Sequence, residues 1–115
     1  MNKKRILDKF VACMQKGDNI ALADLFDLHG VLHDSSPIRV GLDTIHLEGR
    51  MAVEMMYHHK FGVNGGAYPI TSIESQGEDS IRYFITYGGK VIPVCVILSK
   101  LTDTGLIQRI NIYPL

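Results

Sequence analysis

The chain has 115 residues, enough for one domain with its own core and too few for two. Hydrophobic residues make up 46% and charged residues 21%, a balance that excludes a disordered chain. Twelve Lys and Arg offset twelve Asp and Glu, so the net charge is zero and a nucleic-acid partner is not expected.

Leu7, Phe10, Val11 and Met14 recur at helical spacing and predict a first amphipathic helix. Gly17 suits its left-handed end, and Asp18 suits the cap of the next helix. That second helix is short, gathers Leu22, Leu25 and Phe26 on one side, and is expected to close at His29-Gly30. Short strands follow near 30–35 and 44–48. A third helix is expected from about Arg50 to Lys60, with Val53, Met56 and Tyr57 on one face. Met51, Met55 and Met56 read as adaptable core filler.

From Tyr68 onward, β-branched and aromatic residues take over. Turn residues cut four strands, roughly 67–76, 80–87, 90–101 and 106–113, and their short connections predict an antiparallel meander. Tyr87-Gly88-Gly89-Lys90 has the composition of a two-residue hairpin. Ile81, Tyr83, Ile85 and Tyr87 share one face of their strand, and Arg82, Phe84 and Thr86 the other. In the next strand both faces are apolar, with Cys95 and Ile97 on one side and Val94, Val96 and Leu98 on the other. One face can meet the helices; a second copy of the chain, docked on the sheet face, is the expected cover for the other. Pro93 cannot donate to a ladder, which predicts a bulge or bend there.

Cys13 and Cys95 lie far apart in apolar runs and read as reduced, buried thiols. The longest apolar stretch, Val91 to Leu98, has eight residues and contains Pro93, so no membrane span is expected. The basic start lacks the apolar core of a signal peptide, and a cytoplasmic location is the expectation. His29 and His33 lack a third ligand at useful spacing, and His58-His59 suit a helix end, so neither a metal nor another cofactor is expected.

Lys16-Gly17-Asp18, Leu25-Phe26 and Gly30-Val31-Leu32-His33-Asp34 together resemble the opening of the NTF2-like superfamily. Gly49-Arg50 with Tyr57 is similar to the third helix of its ketosteroid-isomerase and SnoaL-like members, and Ile107 to Tyr113 resembles their last strand. The resemblance runs from Phe10 to Tyr113 and implies one domain over 1–115. The fold class it implies is α+β, a cone of three N-terminal helices packed on a curved antiparallel sheet. The segment between Asp34 and Gly49 is longer than in bacterial ketosteroid isomerases.

The resemblance also implies an apolar pocket between sheet and helices, homodimers, and a small apolar or polyketide-like ligand. Asp34 stands where those isomerases carry their proton-shuttling aspartate, which makes it the candidate catalytic base. An aspartate before Ser35-Ser36 can equally cap a turn. The oxyanion donors of the isomerases fall on Phe10 and near Ile97, neither of which can donate, so steroid isomerase activity is not expected. Tyr57, Tyr83, Phe10, Cys95 and Ile97 are the expected ligand-facing residues. No second inward carboxylate is evident for an epoxide-hydrolase arrangement. A non-catalytic binding or interaction module on the same cone is the alternative function.

Overall fold

The computed structural model describes residues 2–115. The first helix, α1 (Lys3–Lys16), buries Leu7, Phe10, Val11 and Met14, the stripe that its spacing predicts. Gly17 ends it at φ 70°, and a Cβ there would overlap the Gly66 carbonyl, so both conformation and close approach require glycine. Asp18 then caps α2 (Asn19–Asp24) by accepting from the Ala21 N–H at 2.9 Å.

The second helix stops earlier than expected. Strand β1 spans Phe26–Asp34, and the Leu25 carbonyl accepts from the Ile107 N–H at 2.8 Å. The pairing of β1 with the last strand breaks between Phe26 and Val31, where the Asp27 carboxylate takes the His29 N–H at 3.0 Å. The bulge leaves Phe26 and Gly30 both buried, four residues apart, which is also helical spacing. That coincidence explains the overextended helix. Gly30 is forced by packing, since a Cβ would run into the Ile107 carbonyl.

A 3-10 helix over Ser36–Val40 leads to β2 (Ile45–Glu48) and α3 (Arg50–Val63). Val53, Tyr57 and Phe61 form the buried face of α3, and Arg50 Nε anchors its start on the Phe26 carbonyl at 2.8 Å. Met56 is half-buried, but Met51 and Met55 are 72% and 66% exposed and fill no core. Strands β3 (Ile70–Ser75), β4 (Ser80–Tyr87), β5 (Lys90–Leu101) and β6 (Ile107–Pro114) follow.

The six strands form one sheet in the order β2-β1-β6-β5-β4-β3. The meander β3 to β6 is antiparallel as expected, but β1 runs parallel to β6, so the sheet is mixed. Since α3 and four strands separate β1 from β6, the chain has the length for the crossover that parallel pairing needs. The helices are also not a consecutive N-terminal block: α3 comes after the β1–β2 hairpin. At the β4–β5 turn, Tyr87 pairs with Lys90 and both glycines have positive φ, the primed hairpin geometry.

Pro93 makes no bulge. Its pairing with Phe84 is in register, and its carbonyl accepts from the Leu115 N–H just past the end of β6. The missing N–H therefore falls where the ladder is running out. The break in β5 lies instead between Leu98 and Lys100.

The concave face of the sheet holds Leu32, Ile81, Tyr83, Ile85, Val94, Val96, Leu98, Ile110 and Ile112, packed against the buried faces of α1 and α3 in one cluster. Side chains fill the deep part of the cone. Among the described residues, no helix is long and apolar enough to cross a membrane.

Candidate functional site

Alternation along β1 turns Leu32 and Asp34 inward and His33 outward. Asp34 ends the strand between Ile45 on β2 and Ile112 on β6, and it is 1% exposed. Its Oδ1 accepts from the Ser36 N–H at 2.8 Å and the Ser36 hydroxyl at 2.6 Å. Its Oδ2 takes a longer bond, 3.4 Å, from the Tyr87 hydroxyl, which also lies 3.3 Å from Ser36 Oγ.

Asp34 faces the interior and at the same time caps the turn that follows. Burial pushes its pKa up, whereas the Ser36 and Tyr87 bonds and the nearby His33 pull it down; burial wins. A carboxylate held by three donors yet still raised is short of compensation for the water it has lost.

Four tyrosines surround this group. Desolvation, followed by repulsion from Asp34, raises Tyr57, Tyr68, Tyr83 and Tyr87 above the ordinary tyrosine value, with Tyr68 pushed up to about 12. All four therefore remain hydrogen-bond donors at neutral pH. Tyr57 sits on α3 against Phe61, with its hydroxyl fully buried and unpartnered. Tyr68 stacks edgewise between Phe61 and Tyr87.

A cavity of about 300 Å³ opens at the mouth of the cone. Pro37, Val40 and Leu42 form one apolar side, and Val63 at the end of α3 forms another. Tyr68 and Tyr87 line it as well, with Lys60, Asn64 and Lys90 as its polar groups. Asp34 does not line it. Tyr87 reaches both, with its hydroxyl on the carboxylate and its side chain at the cavity.

Of the expected ligand-facing residues, Tyr57 and Tyr83 lie in the interior around Asp34. Phe10 is a fully buried core residue of α1. Cys95 and Ile97 lie elsewhere. Cys95 pairs with Arg82 and Ile97 with Ser80, which puts both on the convex face, opposite Tyr83 and Val94. The inward neighbours Val96 and Leu98 are apolar, so an oxyanion donor is absent there too.

Ser36, Tyr68, Tyr87 and Lys60 were not expected in the site. Ser36 is two residues beyond a candidate turn aspartate, and Tyr87 follows Tyr83 and Ile85 on an inward face, so both had a local signal. Tyr68 and Lys60 come from separate elements, and only the folded chain brings them together. On the outer face, His33 and His46 approach with Nδ1 atoms 3.0 Å apart, and His46 Nε2 meets Glu48 at 3.3 Å. Among the described residues, no three His, Cys, Asp or Glu side chains form a group able to hold a metal.

Solved structures share this architecture over nearly the whole chain. An NTF2-like protein of unknown function from Mesorhizobium loti superposes with a TM-score of 0.72 at 19% identity, covering 99% of this chain and 91% of that one. The fold is NTF2-like. An NTF2-like protein of unknown function from Cytophaga hutchinsonii gives a TM-score of 0.70 at 15% identity, covering 100% and 91% of the two chains. An uncharacterised cystatin-fold protein from Novosphingobium aromaticivorans gives 0.72 at 12%, covering 97% of each. At these identities the likeness concerns the NTF2-like fold alone. No protein-family model matches the chain. Methionine aminopeptidase 2 of Dictyostelium discoideum is 39% identical over 46 residues, which are 40% of this chain and only 11% of that enzyme.

Proposed function

We propose that this chain is a small-molecule pocket protein of the ketosteroid-isomerase-like and SnoaL-like kind, taking its ligand at the mouth of the cone. The observation that carries the reading is Tyr87, which lines the cavity and donates its hydroxyl to buried Asp34. A largely apolar cavity of about 300 Å³ with a few convergent polar groups has the character of a ligand site, at the small end of the usual range. Asp34 supplies a base of raised pKa, and Tyr87, whose side chain lines the cavity and whose hydroxyl donates to the carboxylate, couples the two. The reaction class is proton transfer, as in an isomerase or cyclase. Phe10 and the apolar inward residues of β5 leave no oxyanion donors of the steroid-isomerase type, so steroid isomerase activity is not part of the proposal.

The working unit of this proposal is a homodimer joined through the convex sheet face. Phe84, Val91 and Tyr113 are 42%, 63% and 38% exposed there, beside Pro93, Cys95 and Ile97. A second copy would cover them.

Amide shift mapping with a panel of small apolar ketones tests binding, and solvent-deuterium exchange at their acidic C–H positions tests chemistry. The proposal expects shifts at Val63, Tyr68 and Tyr87, with exchange that Asp34→Asn abolishes. Shifts confined to the convex face would overturn it. Binding with no exchange would favour the second reading, a non-catalytic module, which the two Ser36 bonds to Asp34 Oδ1 support.

A further inference from the structure

The polar groups of the cavity are unevenly charged. Lys60, half-buried on the last turn of α3, and Lys90, at the β4–β5 turn, both line it, and no acidic side chain does. The ion pairs among the described residues are Lys4–Asp8 and His46–Glu48, so neither cavity lysine has a protein counter-ion. Asp34 lies behind Tyr87, and Asp43, next to Leu42, is exposed and unpaired.

Tyr68 adds a directional donor. Its side chain lines the cavity and its hydroxyl has no hydrogen-bond partner among the described residues, whereas Asn64 is already engaged with the Ala67 carbonyl at 2.9 Å. The 37–42 segment contributes Pro37, Val40 and Leu42, none with a polar side chain, whereas Lys60 and Asn64 come from the end of α3, with Val63 beside them, and Lys90 from the β4–β5 turn. The site thus draws its cations and free donor from α3, Tyr68 and the β4–β5 turn, and a wholly apolar lining from the 37–42 segment.

From this asymmetry we infer that the ligand is a small amphipathic carboxylate, its anionic end toward Lys60, Lys90 and Tyr68 and its tail against Pro37, Val40 and Leu42. The inference rests on the cavity being a ligand site, as proposed above. A cationic ligand would meet two lysines without counter-ions, whereas an anionic one can pair with half-buried Lys60 and with Lys90, which is exposed at the rim. Generic attraction for anions is no substitute explanation, because the chain as a whole carries no net charge.

The experiment compares octanoate, octanol and octylamine by calorimetry and amide shift mapping near neutral pH. Octanoate should shift Val63, Tyr68 and Tyr87 and bind at least tenfold more tightly than octanol, an advantage that shrinks as salt is added. Lys60→Gln with Lys90→Gln should bring the ratio of octanoate to octanol affinity down to about one, while Lys60→Arg retains the preference. Equal binding of octanol and octanoate at these residues would overturn the carboxylate assignment and leave the pocket standing. Failure of all three probes to shift cavity amides would overturn both.

Discussion

Tyr57→Phe should make the protein more stable, against the usual direction for a core substitution. The Tyr57 hydroxyl is buried without a partner, and a polar group so placed costs about 1–3 kcal/mol. Phenylalanine removes that cost and keeps the ring against Phe61, where the centroids lie 5.4 Å apart. The space left by one oxygen is smaller than a methyl-sized void, so little packing is lost. At about 24 cal/mol per Å³, such a gap costs only a few tenths of a kcal/mol. The net gain is therefore about 1–2.5 kcal/mol, or a rise in Tm of about 4–10 °C for a domain of this size. Thermal and urea unfolding measure it, with an unchanged urea m-value marking a native-state effect. A variant less stable by about 1 kcal/mol would refute the reasoning, because the hydroxyl would then have to be satisfied in the native protein.

Gly30→Ala should destabilise by about 1–3 kcal/mol, since its Cβ meets the Ile107 backbone carbonyl and neither backbone can yield easily; urea unfolding reads the loss. Asp34 binds its proton more tightly when folded than when unfolded, so between those two pKa values the native state holds more protons. Stability should therefore fall as pH rises from the ordinary carboxylate range through the raised folded value, and Asp34→Asn should flatten that part of a urea-midpoint profile. The four raised tyrosines act with the same sign at high pH, so stability should fall again above about pH 10. Sedimentation should give a dimer at micromolar concentration, and Phe84→Lys with Val91→Lys should give a folded monomer; a monomeric wild type would remove the sheet-face interface from the account.

Local patterning was enough for most of the secondary structure. The stripe of α1, the Asp18 cap, the Gly88-Gly89 hairpin and the alternation of β4 are encoded by neighbouring residues, and each appears as read. The failures share a cause. The end of α2, the parallel β1–β6 pair and the untroubled Pro93 depend on where β6 lies, some eighty residues further along the chain than β1. The same distinction runs through the site. Asp34 was legible because it closes an alternating strand, and Ser36 follows within the turn. The cavity itself needs Lys60, Tyr68 and Lys90 from three elements, and no spacing rule joins them. Cys95 was placed on the wrong face because its own strand is apolar on both sides; only the pairing with Arg82 shows which side is inward.

The titration of the Asp34 carboxyl carbon by NMR, in the wild type and in Tyr87→Phe, tests the account most directly. It predicts a wild-type midpoint above the ordinary aspartate value of 3.8, because burial outweighs the bonds from Ser36 and Tyr87. In Tyr87→Phe the midpoint should move higher still, since that substitution removes a donor to the carboxylate. A wild-type midpoint at or below 3.8 would contradict it, leaving Asp34 as a turn cap and no base beneath the pocket.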